Sequence, residues 1–350
     1  MKIFNKEEKK SGTVKIISFC VALIFVFFNL AIEGCAKMNN KNSENLGHLN
    51  FSPDGKKILF ISHNDKSKGA LINIYNIETG ELKVFNPPPG ESWSMAKYSY
   101  DGRKIVFNTI PFVAGKYETD KTQIATIDAV GKNYIKLTNS NGFKVFPSFS
   151  HNGKKIIYCK AGAIRTSGRT PAADYDIYEI DLDNGIEKKI TDMKLFSMSA
   201  PSFFPDDETI IYSTYGYSYY KKTREIAQDE IYTIKKGQKN PVLLFYSKNG
   251  LRNPSIVTSG EIYFETQAYK PDGSGNGDQI FQYSADGRHR QLSNIPWSQR
   301  RWATVSYDGQ RIAVVFENDN RRIVIYNVLD STSTEIILPD KQSIASNSMS

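Results

Sequence analysis

The sequence predicts an all-β fold, a six-bladed β-propeller of four-stranded antiparallel blades, from three observations. One motif recurs six times along the 350 residues, each copy runs on into a segment with a strand period of two, and the composition favours strands and turns over helices. The copies are FSPDGKKILF (51 to 60), YSYDGRKIVF (98 to 107), FSHNGKKIIY (149 to 158), FFPDDETIIY (203 to 212), IVTSGEIYF (256 to 264) and VSYDGQRIAVV (305 to 315). Taking Ser52, Ser99, Ser150, Phe204, Val257 and Ser306 as equivalent gives spacings of 47, 51, 54, 53 and 49 residues. Units of about fifty residues therefore fill the chain.

Each copy is an apolar or aromatic step, a polar turn and a β-branched run. Asp-Gly and Asn-Gly tolerate positive φ, so they join two antiparallel strands through a tight hairpin. Units four and five lack the full signal, with Asp206-Asp207 and a shortened Ser259-Gly260, and different turns are expected there. Third strands follow at INIYNI (72 to 77), QIATID (123 to 128), DIYEIDL (176 to 182), EIYTIKK (230 to 236), QIFQYSA (279 to 285) and RIVIYNV (322 to 328). Fourth strands such as LKVF (82 to 85) and KKIT (188 to 191) are shorter and more polar, as suits an outer edge. Such sheets must bury their faces on one another, and radial stacking leaves only short edges. A β-sandwich or open solenoid would not need four strands per unit. The first unit begins at its inner strand and the last ends at its outer strand, so the ring is expected to close by packing, without strand exchange.

The pattern SPDG, Lys or Arg, an apolar triplet, then DIY, D and an LT-like close resembles the TolB-type propeller repeat. FSPDGKKILF, DIYEIDLDNG (176 to 185) and YIKLTNSNG (134 to 142) carry the resemblance, which spans about residues 47 to 339. It implies the fold. The additional N-terminal α/β domain of TolB has no counterpart here, so a role in the Tol system is not implied.

Outside the repeats the chain reads as an address. Ile16 to Phe28 are thirteen almost purely apolar residues behind Lys2, Lys6, Lys9, Lys10 and Lys15, a signal-peptide core rather than a bilayer span. Gly34-Cys35 resembles the lipobox of bacterial lipoproteins, although Glu33 departs from that pattern. Residues 1 to 34 are thus read as a lipoprotein signal, Cys35 as the lipidation site, 35 to 46 as a flexible tether and 340 to 350 as a polar tail. An uncleaved anchor and ordinary cleavage are the alternatives. Cys20 would leave with the signal, and Cys159, within KKIIYCK, reads as a small buried hydrophobe. The implied location is the bacterial cell envelope, membrane-anchored and facing the periplasm or the exterior.

The formal net charge of +8 is spread along the chain, which favours a solvated surface over a nucleic-acid groove. No nucleophile elbow, phosphate loop or histidine spacing for a metal is visible. In PDGSGNGDQI (271 to 280), Asp272, Ser274, Asn276 and Asp278 match the front half of a calcium loop, but Tyr283 stands where a bidentate Glu is needed. Loops between blades carry Trp93, Phe143, Phe196, Arg252, Trp297, Arg300, Arg301 and Trp302, residue types enriched at binding hot spots. Tyr215, Tyr217, Tyr219 and Tyr220 crowd the internal loop of blade four. Two functions stay open: a non-enzymatic envelope scaffold that engages a protein partner through this rim, and a lyase-like or binding propeller for acidic oligosaccharides.

Overall fold

The computed structural model describes residues 46–65, 68–164, 172–223, 226–269, 273–284, 287–294, 300–316 and 319–338. The signal segment, Cys35, the tether, Trp297 and the tail from residue 340 lie outside the described residues. Among the described residues no helix is long and apolar enough to cross a membrane.

Six sheets follow one another in chain order, each with its strands paired antiparallel in sequence order. Blade 1 is β1 (Leu46–Phe51), β2 (Lys57–Asp65), β3 (Lys68–Asn76) and β4 (Leu82–Phe85). Blade 2 is β5 (Glu91–Tyr98), β6 (Lys104–Val113), β8 (Gln123–Asp128) and β9 (Ile135–Lys136), with the short β7 (Lys116–Tyr117) folding back on β6. Blade 3 is β10 (Lys144–Phe149), β11 (Lys155–Ile164), β12 (Ala172–Asp181) and β13 (Glu187–Lys189). Blade 4 is β14 (Ser199–Phe203), β15 (Thr209–Tyr215), β16 (Asp229–Lys235) and β17 (Val242–Ser247). Blade 5 is β18 (Arg252–Ile256), β19 (Ile262–Tyr269), β20 (Gly275–Tyr283) and β21 (His289–Gln291). Blade 6 is β22 (Arg300–Val305), β23 (Arg311–Phe316), β24 (Asp319–Asn327) and β25 (Ser333–Ile337).

The Asp-Gly hairpins owe their repetition to one hydrogen-bonded device. In the first copy Ser52 Oγ donates to Asp54 Oδ1 and accepts from Lys57 N, while Asp54 Oδ1 accepts from Lys56 N. Ser99, Ser150 and Ser306 repeat it with Asp101, Asn152 and Asp308. Gly55 takes φ 68° at the position where a side chain would be strained. Unit four differs, as its sequence implies: Asp207 occupies that position at φ 55°. Its carboxylate accepts from the backbone of His151 and Asn152 in blade 3, so a strained residue ties two blades together.

Between blades the β-branched runs interdigitate. Ile72, Ile74, Trp93 and Phe107 fill the seam of blades 1 and 2, and Val106, Phe149, Ile156 and Tyr158 that of blades 2 and 3. Ile211, Leu251, Ile262 and Phe264 join blades 4 and 5, and Tyr263, Ile280, Ile312 and Val314 join 5 and 6. Each such side chain contributes about 1.5–3 kcal/mol by leaving water. The seam of blades 3 and 4 adds ions: Glu179, 2% exposed, faces Lys155, Lys188 and, from blade 4, Lys236. Blade 6 meets blade 1 through Phe51, Ile58, Val315, Ile323 and Ile336, with β1 packed on β22 and β23. Among the described residues neither sheet borrows a strand from the other, and the two blades meet by packing, as expected. The fourth strands β9 and β21 are fully exposed, which places the polar edge outside.

Candidate functional site

The innermost strand of every blade contains a bulge. Pairing with the second strand slips between Gly47 and Asn50, Ser94 and Lys97, Val145 and Ser148, Ser199 and Ser202, Arg252 and Ser255, and Arg300 and Trp302. In the first five blades a non-glycine residue takes the left-handed conformation there: His48, Met95, Phe146, Ala200 and Asn253, with φ between 49° and 56°. Each such residue costs on the order of 1 kcal/mol, so its recurrence marks a geometric demand of the ring. The bulge bends the strand at the axis and turns side chains toward it.

In the first five blades the register is restored two residues beyond the left-handed residue, at Asn50, Lys97, Ser148, Ser202 and Ser255, all polar, whereas in blade 6 it is restored at Trp302 and the position equivalent by the repeat is Thr304. Asn50 Oδ1 accepts from Tyr98 N at 2.9 Å. Asn50 therefore reaches across to the innermost strand of the next blade, and Lys97 is its counterpart in blade 2.

The Asp-Gly end of the axis is closed by the residues that follow the serine of the turn. Tyr100 stacks on His151 with centroids 3.7 Å apart and meets Tyr307 edge-on at 5.2 Å. Tyr307 Oη donates to the Tyr98 carbonyl at 3.2 Å and reaches the Asn50 side chain, while Tyr100 reaches Ser202. These contacts join blade 6 to blade 2 and blade 2 to blade 4. Non-neighbouring blades meet only near the axis, so the three rings form a floor beneath the polar positions. Burial pushes the Tyr307 phenol up, which keeps it neutral.

Lys97 is half-buried on β5, and burial pushes its amine down to about 8. His48 is pushed down to about 4 by burial first, then by His63 and Lys97. The available signal was the polar residue two positions before the serine step in all six units, which becomes legible once the axis-facing edge is known.

The residues expected on the rim are distributed differently. Trp93 is corrected: it lies within β5, 2% exposed, between Phe107 and Tyr134 at 4.7 and 5.2 Å. Phe143 is likewise buried, 1% exposed, because the chain has already joined β11 through its carbonyl. Trp93 belongs to the packing between blades 1 and 2 because the bulge lengthens the inner strand upstream of the repeat motif. Phe196 is half-buried beside the Tyr175–Leu195 bridge. Arg300, Arg301 and Trp302 lie on β22 rather than in a loop; their side chains lie outside the description. Tyr217 packs edge-on against Tyr232 at 5.4 Å, in a single helical turn, Tyr217–Tyr220.

Arg252 starts β18 and pairs with Asp278, the seventh position of the calcium-like loop. Asp272 lies outside the described residues, and among those described no group of three His, Cys, Asp or Glu side chains is placed to hold a metal. Next to this pair, burial lifts Asp229 to about 7; Arg252 opposes the shift while Glu230 and Asp278 add to it. The folded value exceeds the unfolded one, so stability is lost as pH rises from about 4 to 7. Asp229→Asn should therefore gain on the order of 1 kcal/mol over wild type at pH 8 and nothing at pH 4, measured as urea midpoints at the two pH values.

Six four-stranded antiparallel sheets in chain order define a six-bladed β-propeller. The comparisons agree on this class. The chain is similar to TolB of Acinetobacter baumannii at 16% identity over 88% of this chain and 67% of that one, with a TM-score of 0.58. A TolB candidate from Agrobacterium tumefaciens is 18% identical, covering 85% and 91%, with a TM-score of 0.53. An oligogalacturonate lyase from Vibrio parahaemolyticus is 13% identical over 84% and 77%, with a TM-score of 0.53. At these identities the shared property is the fold. No family model and no curated protein matches the sequence.

Proposed function

We propose that the chain is a non-enzymatic binding propeller of the bacterial cell envelope, tethered through Cys35, that receives a protein partner on the rim opposite the Asp-Gly turns. The observation that carries this reading is the difference between the two ends of the ring. One end has tight turns and an aromatic floor. The other bears the long β11 and β12 arms, the β6–β7 extension, the Thr119–Lys121 turn and the Tyr217–Tyr220 turn. Elaborated loops on a rigid scaffold are where binding residues concentrate. The likeness to TolB structures supports an envelope setting, and the signal-like segment supports export.

Crosslinking the lipidated protein in its native envelope tests the reading. One envelope protein is expected to be recovered with wild type and lost with the double variant Trp297→Ala, Arg301→Ala. Equal recovery with both would remove this rim from the interface. The likeness to oligogalacturonate lyase keeps a second reading, in which the chain acts on acidic oligosaccharides. Cleavage of such a substrate, abolished by Arg252→Ala, would favour it.

A further inference from the structure

The outer edge of a sheet presents a row of backbone N–H and C=O groups without partners, and proteins blunt such edges by shortening the strand or placing charge on it. Five of the six outer strands follow that rule. β9 has two residues and β13 and β21 three each, and every one carries a basic side chain. β4 contains Lys83, and in β25 Glu335 pairs with Arg322. β17 departs from it. Val242–Ser247, six residues reading VLLFYS, is the longest of the outer strands and holds no charged residue. Such a segment is an open template for another strand. Among the described residues none pairs with its outer side. Val242 is 57% exposed, and the one blunting feature within the strand is a bulge that leaves Leu244 as the extra residue. Charge lies at the two ends instead. Lys239 and Lys248 are exposed, and neither ammonium has a hydrogen bond or ion pair with a described residue. The carboxylates across the sheet, Asp229 and Glu230, belong to β16, on the far side of β17 from this edge.

We propose that the outer edge of β17 receives an extended segment of another protein as an added strand, a segment apolar at alternate positions and acidic at both ends. A strand edge offers backbone groups in a row, and an extended chain is the occupant that satisfies them. Acidic ends meet Lys239 and Lys248, which fixes the register. A second copy of this chain is the poorer occupant. Antiparallel self-pairing with Val242 opposite Ser247 brings Lys248 of each copy within two positions of Lys239 of the other, so like charges cluster at both ends. The edge lies on the outside of blade 4, apart from the rim loops, and the site stands whether or not a partner docks on that rim.

Fluorescence anisotropy tests the proposal on the full chain in non-ionic detergent, with a labelled synthetic peptide of alternating Val and Thr and an Asp at each end. Saturable binding is expected, lost when alternate backbone nitrogens of the peptide are methylated, and about tenfold weaker when its ends are Lys. The double variant Lys239→Glu, Lys248→Glu changes only exposed side chains and should reverse that preference for the peptide ends. Hydrogen exchange of the wild-type complex should slow at the β17 amides and not at those of β25. No binding, equal binding of the methylated peptide, or an unchanged preference in the double variant overturns the proposal. A concentration-dependent dimer abolished by Val242→Lys overturns it as well, by assigning the edge to a second copy.

Discussion

Glu179→Gln is expected to lower the unfolding free energy by about 3 kcal/mol, read from urea denaturation. The carboxylate is 2% exposed and lies 3.5 Å from Lys155, 3.6 Å from Lys188 and 3.2 Å from Lys236. Glutamine preserves the shape but leaves three ammonium groups facing one another. Lys188, 61% exposed, can swing into solvent. Lys236, 10% exposed and lying over the Phe203 ring at 5.3 Å, cannot, and keeps the half-exposed Glu208 as its remaining, weaker partner. The cost therefore falls on the seam of blades 3 and 4. A second variant separates charge from packing. Glu179→Leu combined with Lys236→Met replaces the ions by apolar groups of similar volume and should recover most of the loss. If the single variant unfolds at the wild-type midpoint, the cluster does not hold this seam.

Gly69→Ala should be comparably damaging, by about 1–3 kcal/mol or more, for a steric reason. A Cβ at this position would lie 2.2 Å from the Glu91 carbonyl oxygen and 2.8 Å from Ser92 Cα, both on the backbone of blade 2. Neither atom belongs to a flexible side chain that can move away. The neighbouring Ala70 N–H donates to Ser92 Oγ at 2.9 Å, which holds β3 against β5 and leaves no slack. Thermal unfolding of the variant measures the effect. A midpoint equal to wild type would mean that the two blades can separate without loss.

The architecture was legible because it rests on local chemistry. The Ser-x-Asp-Gly turns announce themselves by composition, and the segment QIATID coincides with β8, Gln123–Asp128. Other third strands begin earlier than their Ile/Tyr alternation, as in β12, which starts at Ala172 rather than Asp176. Upstream lengthening of the inner strand also explains Trp93. Aromatic residues in a polar stretch read as a binding loop, whereas the bulge carries the chain into the core before the motif begins. The polar positions of the inner strands were not legible for a related reason. Lys97 is one lysine among many until the register makes it the counterpart of Asn50, and no spacing along the chain brings His48 to it.

The seam between the first and last blades has a consequence for the size of the ring. Because each sheet is built entirely from one contiguous stretch, a whole unit can be added or removed by duplication or deletion without cutting through any sheet. Only the fit of Phe51 and Ile58 against Val315 and Ile323 would have to be remade. Blade number in such a ring is thus a property of wedge angles and side-chain volumes, open to change one module at a time.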